Sequence, residues 1–313
     1  MRLNKISIPE RLMKYIKLII KITVSTIAIW YIFSNIDAKA LWHIIKNSNP
    51  YIIMSAFCIY TISIILSSVR LNVLFKLLPL RITQISNLKL YYLGLFYNFF
   101  LPGGVGGDGY KVFILNRKFR IPVKKLIGAA LADRISGLSA ILVYLLSLVY
   151  FINYDLPFQG WFWVLIPTVG FGYYAFLYLF SRNLTHGFWK VNGWSLLIQG
   201  LQMVAAILLL EAMGARVVGH RDDFVFLFLL SAIAASVPIT LGGIGAREFT
   251  LLKGAILLGL NKDHAVALSL MFYAISLIAA IPGVYYSINS NEIFNTEEIP
   301  CEEEFPIAEK ITT

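Results

Sequence analysis

The sequence has 313 residues, of which 58% are hydrophobic and 14% are charged, with a mean hydropathy of +0.73. Soluble domains carry about 25% charged residues, so this composition excludes an ordinary soluble protein and indicates an integral membrane protein. The net charge is +10, yet the last 25 residues contain seven glutamates and one lysine. A basic excess in the remaining chain is typical of cytoplasmic loops, so no nucleic-acid partner is expected.

The N-terminal region is basic and precedes a first apolar stretch. This pattern predicts a cytoplasmic N terminus and an uncleaved span over about 18–34. A second span is predicted over about 50–69, which Pro50 opens and Arg70 closes. Basic residues follow it at Lys76, Arg81 and Lys89, so this loop is expected on the cytoplasmic side.

A glycine-rich stretch interrupts the next apolar region, 86–116, with the sequence Asn98-Phe-Phe-Leu-Pro102-Gly-Gly-Val-Gly-Gly107-Asp108-Gly-Tyr-Lys111. Basic residues lie on both sides of this region, so both flanks are predicted on the same side of the membrane. A hairpin that enters the bilayer and returns satisfies this, with Pro102 and the glycines at its tip. Such a break is tolerated at membrane depth only inside protein or beside a wet cavity.

Three more spans are predicted over about 126–152, 161–180 and 194–213, with 153–160 and 214–223 outside and 182–190 in the cytoplasm. A second broken element follows over about 224–261. It contains Pro238-Ile-Thr-Leu-Gly242-Gly-Ile-Gly245-Ala-Arg247-Glu248. The last span is predicted over about 264–288.

These elements together predict an all-α, polytopic helical bundle of about eight helical segments. Six are full spans and two are re-entrant or broken hairpins. Three crossings separate the two hairpins, so they have opposite orientations, as in an inverted repeat. An alternative of eight simple spans breaks the charge rule near 117–125. The transmembrane domain is assigned to 1–288, and 289–313 is assigned to an acidic cytoplasmic tail that is expected to be disordered.

The two glycine-rich turns are the candidate sites for chemistry. Exposed backbone N–H groups at a helix start can hold a phosphate or carboxylate. Asp108, Lys111, Arg247 and Glu248 add ionisable groups there. Such groups are costly in a membrane and therefore indicate function. The alternative is that the glycines only allow tight turns and that the charges pair with one another.

Several other site classes are not supported by the sequence. The turns lack a preceding strand and a Gly-Lys-Ser/Thr ending, which argues against a nucleotide loop. The four histidines have no metal-ligand spacing, and no Ser–His–Asp grouping is evident. No catalytic residue, metal or cofactor is therefore predicted.

The Asp133-Arg134 pair has three possible roles: a partner for the first hairpin, a contact for a lipid head group, or an interfacial ion pair. Arg70 is a weaker candidate, because a cation at a span end ordinarily reaches out to the interface. The complete set of predicted substrate-binding residues is Arg70, Asn98, Pro102, Gly103, Gly104, Gly107, Asp108, Lys111, Asp133, Arg134, Pro238, Gly242, Gly243, Gly245, Arg247 and Glu248.

These motifs in combination resemble the transmembrane domain of the lysylphosphatidylglycerol synthase/flippase family, over about 10–290. Lys111 stands where the resemblance leads us to expect arginine, which keeps the charge but not the bidentate geometry. The soluble aminoacyl-transferring domain of the two-part synthases has no counterpart here, so lysine transfer to a lipid is not expected. The resemblance implies a flippase-like protein of the bacterial inner membrane.

The function predicted is therefore binding and translocation of an anionic or modified phospholipid head group, through a cavity between the two broken helices. The expected partner is a membrane lipid, with a partner enzyme or a second copy of the chain as further possibilities. One alternative is a membrane transferase acting on a lipid-linked or polyprenyl-phosphate substrate. Another is a non-catalytic partner of a lipid-modifying enzyme.

Overall fold

The computed structural model describes residues 38–100, 106–152, 154, 159–214, 220–237 and 245–294. The predicted first span and residues 295–313 of the tail lie outside this part of the chain. The same holds for six predicted site residues: Pro102, Gly103, Gly104, Pro238, Gly242 and Gly243.

The described residues form α-helices and two short 3-10 turns, and none of them is in a β-strand. The helices are α1 (Ala38–Asn47), α2 (Pro50–Lys76), α3 (Gln84–Phe100), α4 (Gly106–Phe119), α5 (Val123–Leu148), α6 (Phe162–Phe180), α7 (Arg182–Thr185), α8 (Phe188–Ala212), α9 (Arg221–Ser236), α10 (Ala246–Leu257), α11 (Lys262–Ala280) and α12 (Pro282–Ile288). The all-α prediction is confirmed.

Five of these helices are long and apolar enough to cross a membrane: α2, α5, α6, α8 and α11. They coincide with five of the six full spans predicted from the sequence. The polytopic helical bundle is therefore confirmed. The last predicted span is not one continuous helix, because α11 ends at Ala280 and α12 begins at Pro282. Proline lacks the N–H that would continue the α11 ladder and is favoured in a first helical turn.

Each of the two predicted broken elements is present as a pair of shorter helices. The first broken element consists of α3 and α4, which pack against each other, and the second consists of α9 and α10, which do the same. A Cβ atom added to Gly254 of α10 would lie 2.3 Å from a methyl group of Leu227 on α9, so this pair is closely packed. Whether either element re-enters the membrane remains a prediction.

The core of the bundle is organised around α2 and α8, which make the most extensive helix contact in the described part. Ala56 on α2 and Ala205 and Ala206 on α8 are fully buried in one hydrophobic cluster. Small side chains let helix backbones approach closely, which is how helices associate in a membrane. The first broken element and α5 pack beside this pair and place polar residues next to it.

Candidate functional site

A cavity of about 250 Å³ opens between six helices of the bundle. Its walls contain six of the residues predicted to form the site: Arg70, Asn98, Asp108, Lys111, Asp133 and Arg134. Residues far apart in sequence thus converge from α2, from α5, and from α3 and α4, the two arms of the first broken element. Gln199 on α8 and Ser236 on α9 complete its polar lining.

Arg70 is buried inside the bundle, with 5% of its surface exposed. Its Nε donates to Asp133 Oδ1 at 2.8 Å, and its Nη1 donates to Ser195 Oγ at 3.1 Å. Helix α2 continues six residues beyond it, to Lys76. The expectation that Arg70 reaches out to the interface is therefore wrong, because Asp133 supplies the opposite charge that makes burial tolerable.

Asp108 holds two cations at once. One carboxylate oxygen lies 2.7 Å from Lys111 Nζ, one helical turn further along α4. The other accepts from Arg134 Nε on α5. This contact settles one of the alternatives for Asp133-Arg134: Arg134 pairs with the first broken element, whereas Asp133 pairs with α2.

Five ionisable side chains form a charge cluster in the cavity: Arg70, Lys111 and Arg134 with Asp108 and Asp133. Three cations and two carboxylates give this cluster a net charge of +1. Arg134 is the most accessible cation, with 29% of its side chain exposed, against 6% for Arg70 and 9% for Lys111. The cluster therefore presents an unbalanced positive charge to the cavity, chiefly through Arg134. Such a charge is suited to a phosphate or carboxylate group.

The cluster lies well inside the helices that carry it. With a rise of about 1.5 Å per residue, Arg70 is about 9 Å from the end of α2, and Lys111 is about 12 Å from the end of α4. By the same measure Asp133 is about 15 Å from the start of α5. These three helix ends carry Lys76, Lys118 and Lys124, so the cavity belongs to the basic half of the bundle.

Two glycines allow the arms of the first broken element to cross closely. A Cβ atom on Gly107 would lie 1.8 Å from the carbonyl oxygen of Gly94, and one on Gly94 would lie 2.6 Å from Lys111 Cε. The Gly107 N–H also donates to Asn98 Oδ1 at 2.9 Å. This approach carries the Lys111 ammonium over the ring of Tyr91, at 4.8 Å, where the π face attracts it.

The second broken element uses its charges differently. One carboxylate oxygen of Glu248 accepts from the Gly245 N–H at 2.7 Å, and the other accepts from Ser269 Oγ at 2.8 Å. Gly245 has φ of 89°, a conformation that favours glycine. The guanidinium of Arg247 lies 5.1 Å from the ring centre of Phe272. Glu248 therefore caps the start of α10, and among the described residues neither it nor Arg247 lines the cavity.

The three carboxylates among the predicted site residues, Asp108, Asp133 and Glu248, are all engaged by donors. Asp108 and Asp133 each face a cation, and Glu248 holds a backbone N–H and a hydroxyl. In the described part of the chain, no group of three or more metal-ligating side chains forms a cluster. The arrangement is suited to binding an anion, whereas acid–base chemistry would first require breaking these contacts.

Sequence reasoning did not include four residues around the cluster: Tyr91, Gly137, Ser195 and Gln199. A Cβ atom on Gly137 would lie 3.4 Å from Arg70 Nη1, so glycine leaves room for the guanidinium. Gln199 could have been noticed as an amide in the middle of an apolar span. Tyr91 and Ser195 have no such signal, because tyrosine and serine are common in membrane helices.

Two comparisons with known proteins bear on identity. A search of curated proteins gives no match. The model of the family described as "Lysylphosphatidylglycerol synthase TM region" matches residues 18–187 and 181–283. These matches cover most of the chain, including all the helices that line the cavity. The chain is therefore a multi-pass membrane protein that belongs to the family of the lysylphosphatidylglycerol synthase transmembrane region.

Proposed function

We propose that this protein binds the head group of an anionic or modified phospholipid and translocates it across the bacterial inner membrane. The observation that carries the proposal is the five-charge cluster in the cavity, with its net charge of +1. Ionisable groups within a membrane are costly, and they mark substrate pathways. A head group that carries one negative charge balances this cluster.

The engaged carboxylates explain how the cations are kept in place without substrate. A polar head group costs several kcal/mol in hydrocarbon unless it finds partners. Arg134 offers the most accessible guanidinium, and Asn98 and Gln199 add amide groups to the same cavity. A phosphate that binds Arg134 competes directly with the carboxylate of Asp108.

The size of the cavity fits a head group and not a whole lipid. Pockets that enclose drug-sized ligands have volumes of about 300–1,000 Å³. A cavity of about 250 Å³ accommodates the head group while the acyl chains remain among the lipids. This division of the lipid between cavity and bilayer is what head-group translocation requires.

Movement of the first broken element provides the transport step of the proposal. Asp108 joins α4 to α5, so a bound anion that takes Arg134 from Asp108 releases this link. The cavity is also lined by Ser236, at the end of α9. Opposed broken helices beside a central site are the arrangement that alternating access uses. In the proposed orientation both termini and the basic helix ends are cytoplasmic.

The test is a translocation assay in vesicles that contain the purified protein. Phosphatidylglycerol with a fluorescent acyl chain is bleached from outside, and acyl-labelled phosphatidylcholine serves as the neutral comparison. We expect the wild type to move phosphatidylglycerol faster than protein-free vesicles do, and Arg134→Gln to slow this about tenfold, which corresponds to about 1.4 kcal/mol.

The matched control is Glu211→Gln, which removes a charge from an exposed ion pair far from the cavity. Folded wild-type protein that moves neither phosphatidylglycerol, nor its lysine-modified form, nor phosphatidylcholine would contradict the proposal. Equal loss in Arg134→Gln and Glu211→Gln would also contradict it, because the cavity charge would then have no special role.

A further inference from the structure

The last described residues, 292–294, are held against the first broken element. Lys89 Nζ, on α3, donates to the carbonyl oxygen of Glu292 at 2.8 Å. The ring of Phe294 packs edge-on against that of Phe119 at the end of α4, with 5.3 Å between centroids. Ile293, which lies between Glu292 and Phe294, is fully buried. Residues 295–313 therefore start beside the cytoplasm-facing ends predicted for α3 and α4.

The surface around this point is strongly basic. Lys118 Nζ lies 4.5 Å from the centre of the Phe294 ring. We define the basic face as the eight lysines and arginines of the segment 76–125 other than Lys111: Lys76, Arg81, Lys89, Arg117, Lys118, Arg120, Lys124 and Lys125. The one acidic residue in that segment, Asp108, lies in the cavity. In the part of the chain that the structure describes, Arg117, Arg120 and Lys124 are exposed and form no ion pair.

The segment that follows Phe294 has the complementary charge. Residues 295–313 contain six glutamates and one lysine, with three glutamates in a row at Glu302, Glu303 and Glu304. These three lie eight to ten residues beyond Phe294, so at about 3.3–3.6 Å per residue their maximum reach from it is about 26–36 Å. That radius is as long as a 20-residue helix, so the triplet can reach the ends of α4 and α5.

We propose that residues 295–313 dock on the basic face as an intramolecular acidic ligand. A segment tethered beside its site has an effective concentration in the millimolar range, so weak charge–charge contacts are enough to hold it. The competing occupant is the anionic lipid surface, which attracts basic clusters next to a membrane. The charge complementarity and the anchored start favour the chain's own segment, and docking does not depend on the proposed translocation.

Docking on this face has a consequence for the cavity. The basic face is formed by the ends of α2, α4 and α5 together with Arg81 and Lys89, in the link before α3 and in α3 itself. The helices α2, α4 and α5 also supply Arg70, Asp108 and Asp133 to the cavity. A docked acidic segment covers cations that would otherwise collect anionic head groups near these helices. The segment is then an internal competitor of anionic lipids at the basic half of the bundle.

The native Cys301 gives a direct test, because it lies next to the glutamate triplet. The chain has two cysteines, so Cys58→Ala leaves Cys301 as the only thiol. Lys124→Cys then places a partner thiol on the basic face, and Trp161→Cys places one at the opposite end of the bundle, beside α6. Cross-linking of the full chain by a short bismaleimide is measured in phosphatidylcholine vesicles, with Arg117→Cys as a second position on the face.

We expect cross-linking to Lys124→Cys to be at least about ten times faster than to Trp161→Cys. It should slow several-fold in about 1 M salt, where the Debye length is about 3 Å. The combined change Glu302→Gln, Glu303→Gln and Glu304→Gln should slow it similarly at low salt. Vesicles containing phosphatidylglycerol should also slow it, because the lipid competes for the same cations.

Rapid cross-linking that neither salt nor the glutamine variant alters would overturn the proposal, because proximity would then come from tethering alone. Absence of cross-linking at both Lys124→Cys and Arg117→Cys in folded protein would overturn it as well. If cross-linking occurs in phosphatidylcholine but phosphatidylglycerol leaves its rate unchanged, docking stands and competition with lipids is wrong.

Discussion

The two broken elements begin from nearly the same sequence and use their charges in different ways. Each has the sequence Gly-Gly-β-branched-Gly, and the helix that follows has an acid in its first turn. In the first, Asp108 faces the cavity and pairs with Lys111 and with Arg134 on α5. In the second, Glu248 turns back to cap its own helix at Gly245.

The difference follows from the position of the acid relative to the glycines. Glu248 is the third residue after Gly245, the spacing at which a glutamate reaches back to the N–H group at a helix start. Asp108 directly follows Gly107, and its shorter side chain points away to cations on neighbouring turns. A repeated sequence motif can therefore precede two helices without repeating a binding site.

The largest effect is expected from Gly107→Ala. The added Cβ atom would lie 1.8 Å from the backbone oxygen of Gly94, and no side-chain rotation can relieve that clash. Overpacking ordinarily costs about 1–3 kcal/mol, and this backbone contact places the cost at about 3 kcal/mol or more. We expect loss of monodisperse protein and a much lower melting temperature in detergent.

Gly109→Ala, two residues further along α4, is the matched control. A Cβ atom there meets nothing within 4 Å, so alanine should stabilise the helix by about 0.5–1 kcal/mol. If Gly107→Ala destabilises the protein and Gly109→Ala stabilises it, the constraint lies where α4 crosses α3. Equal tolerance of both changes would show that the two arms are not held at this distance.

The next largest effect is expected from Asp108→Asn. Asparagine keeps the shape but removes the charge that Lys111 and Arg134 share, so the net charge of the cluster rises from +1 to +2. Removing one partner from a fully buried pair costs about 3–5 kcal/mol, and the partial exposure of Arg134 lowers this to about 2 kcal/mol. The unfolding free energy should fall. The phosphatidylglycerol translocation rate should also fall, because cations without their competing carboxylate hold the bound head group and slow its release.

At position 248, stability should depend on the shape and hydrogen bonds of the side chain more than on its charge. Glu248→Gln keeps an oxygen that accepts from the Gly245 N–H and an amide that can donate to Ser269, so less than about 1 kcal/mol should be lost. Glu248→Ala leaves the N–H without its partner and should cost about 1–3 kcal/mol. If Glu248→Gln slows translocation as much as Asp108→Asn does, the charge at 248 takes part in transport.

Span positions and the two breaks were predictable because they depend on local patterns: long apolar runs, flanking basic residues and clustered glycines. The pairing of Arg70 with Asp133 was not, because it joins residues 63 positions apart and depends on the packing of α2 against α5. The role of Glu248 could not be predicted from the sequence either. Its spacing from Gly245 fits a helix cap, but an acid beside a glycine-rich turn equally suggests a binding site.

The smallest effect is expected from Glu211→Gln, at the end of the bundle predicted to face outside. Its partner Arg221 lies 2.6 Å away, but the two side chains are 40% and 48% exposed. Exposed ion pairs contribute about 0–1 kcal/mol because water and salt screen them, so a loss below about 0.5 kcal/mol is expected, with translocation unchanged. Asp108 and Glu211 each face an arginine, but Asp108 is more buried and also holds Lys111. If Glu211→Gln lowers stability and translocation as much as Asp108→Asn does, removing a charge anywhere in the bundle disturbs the protein. The ion pairs of the cavity would then have no special role.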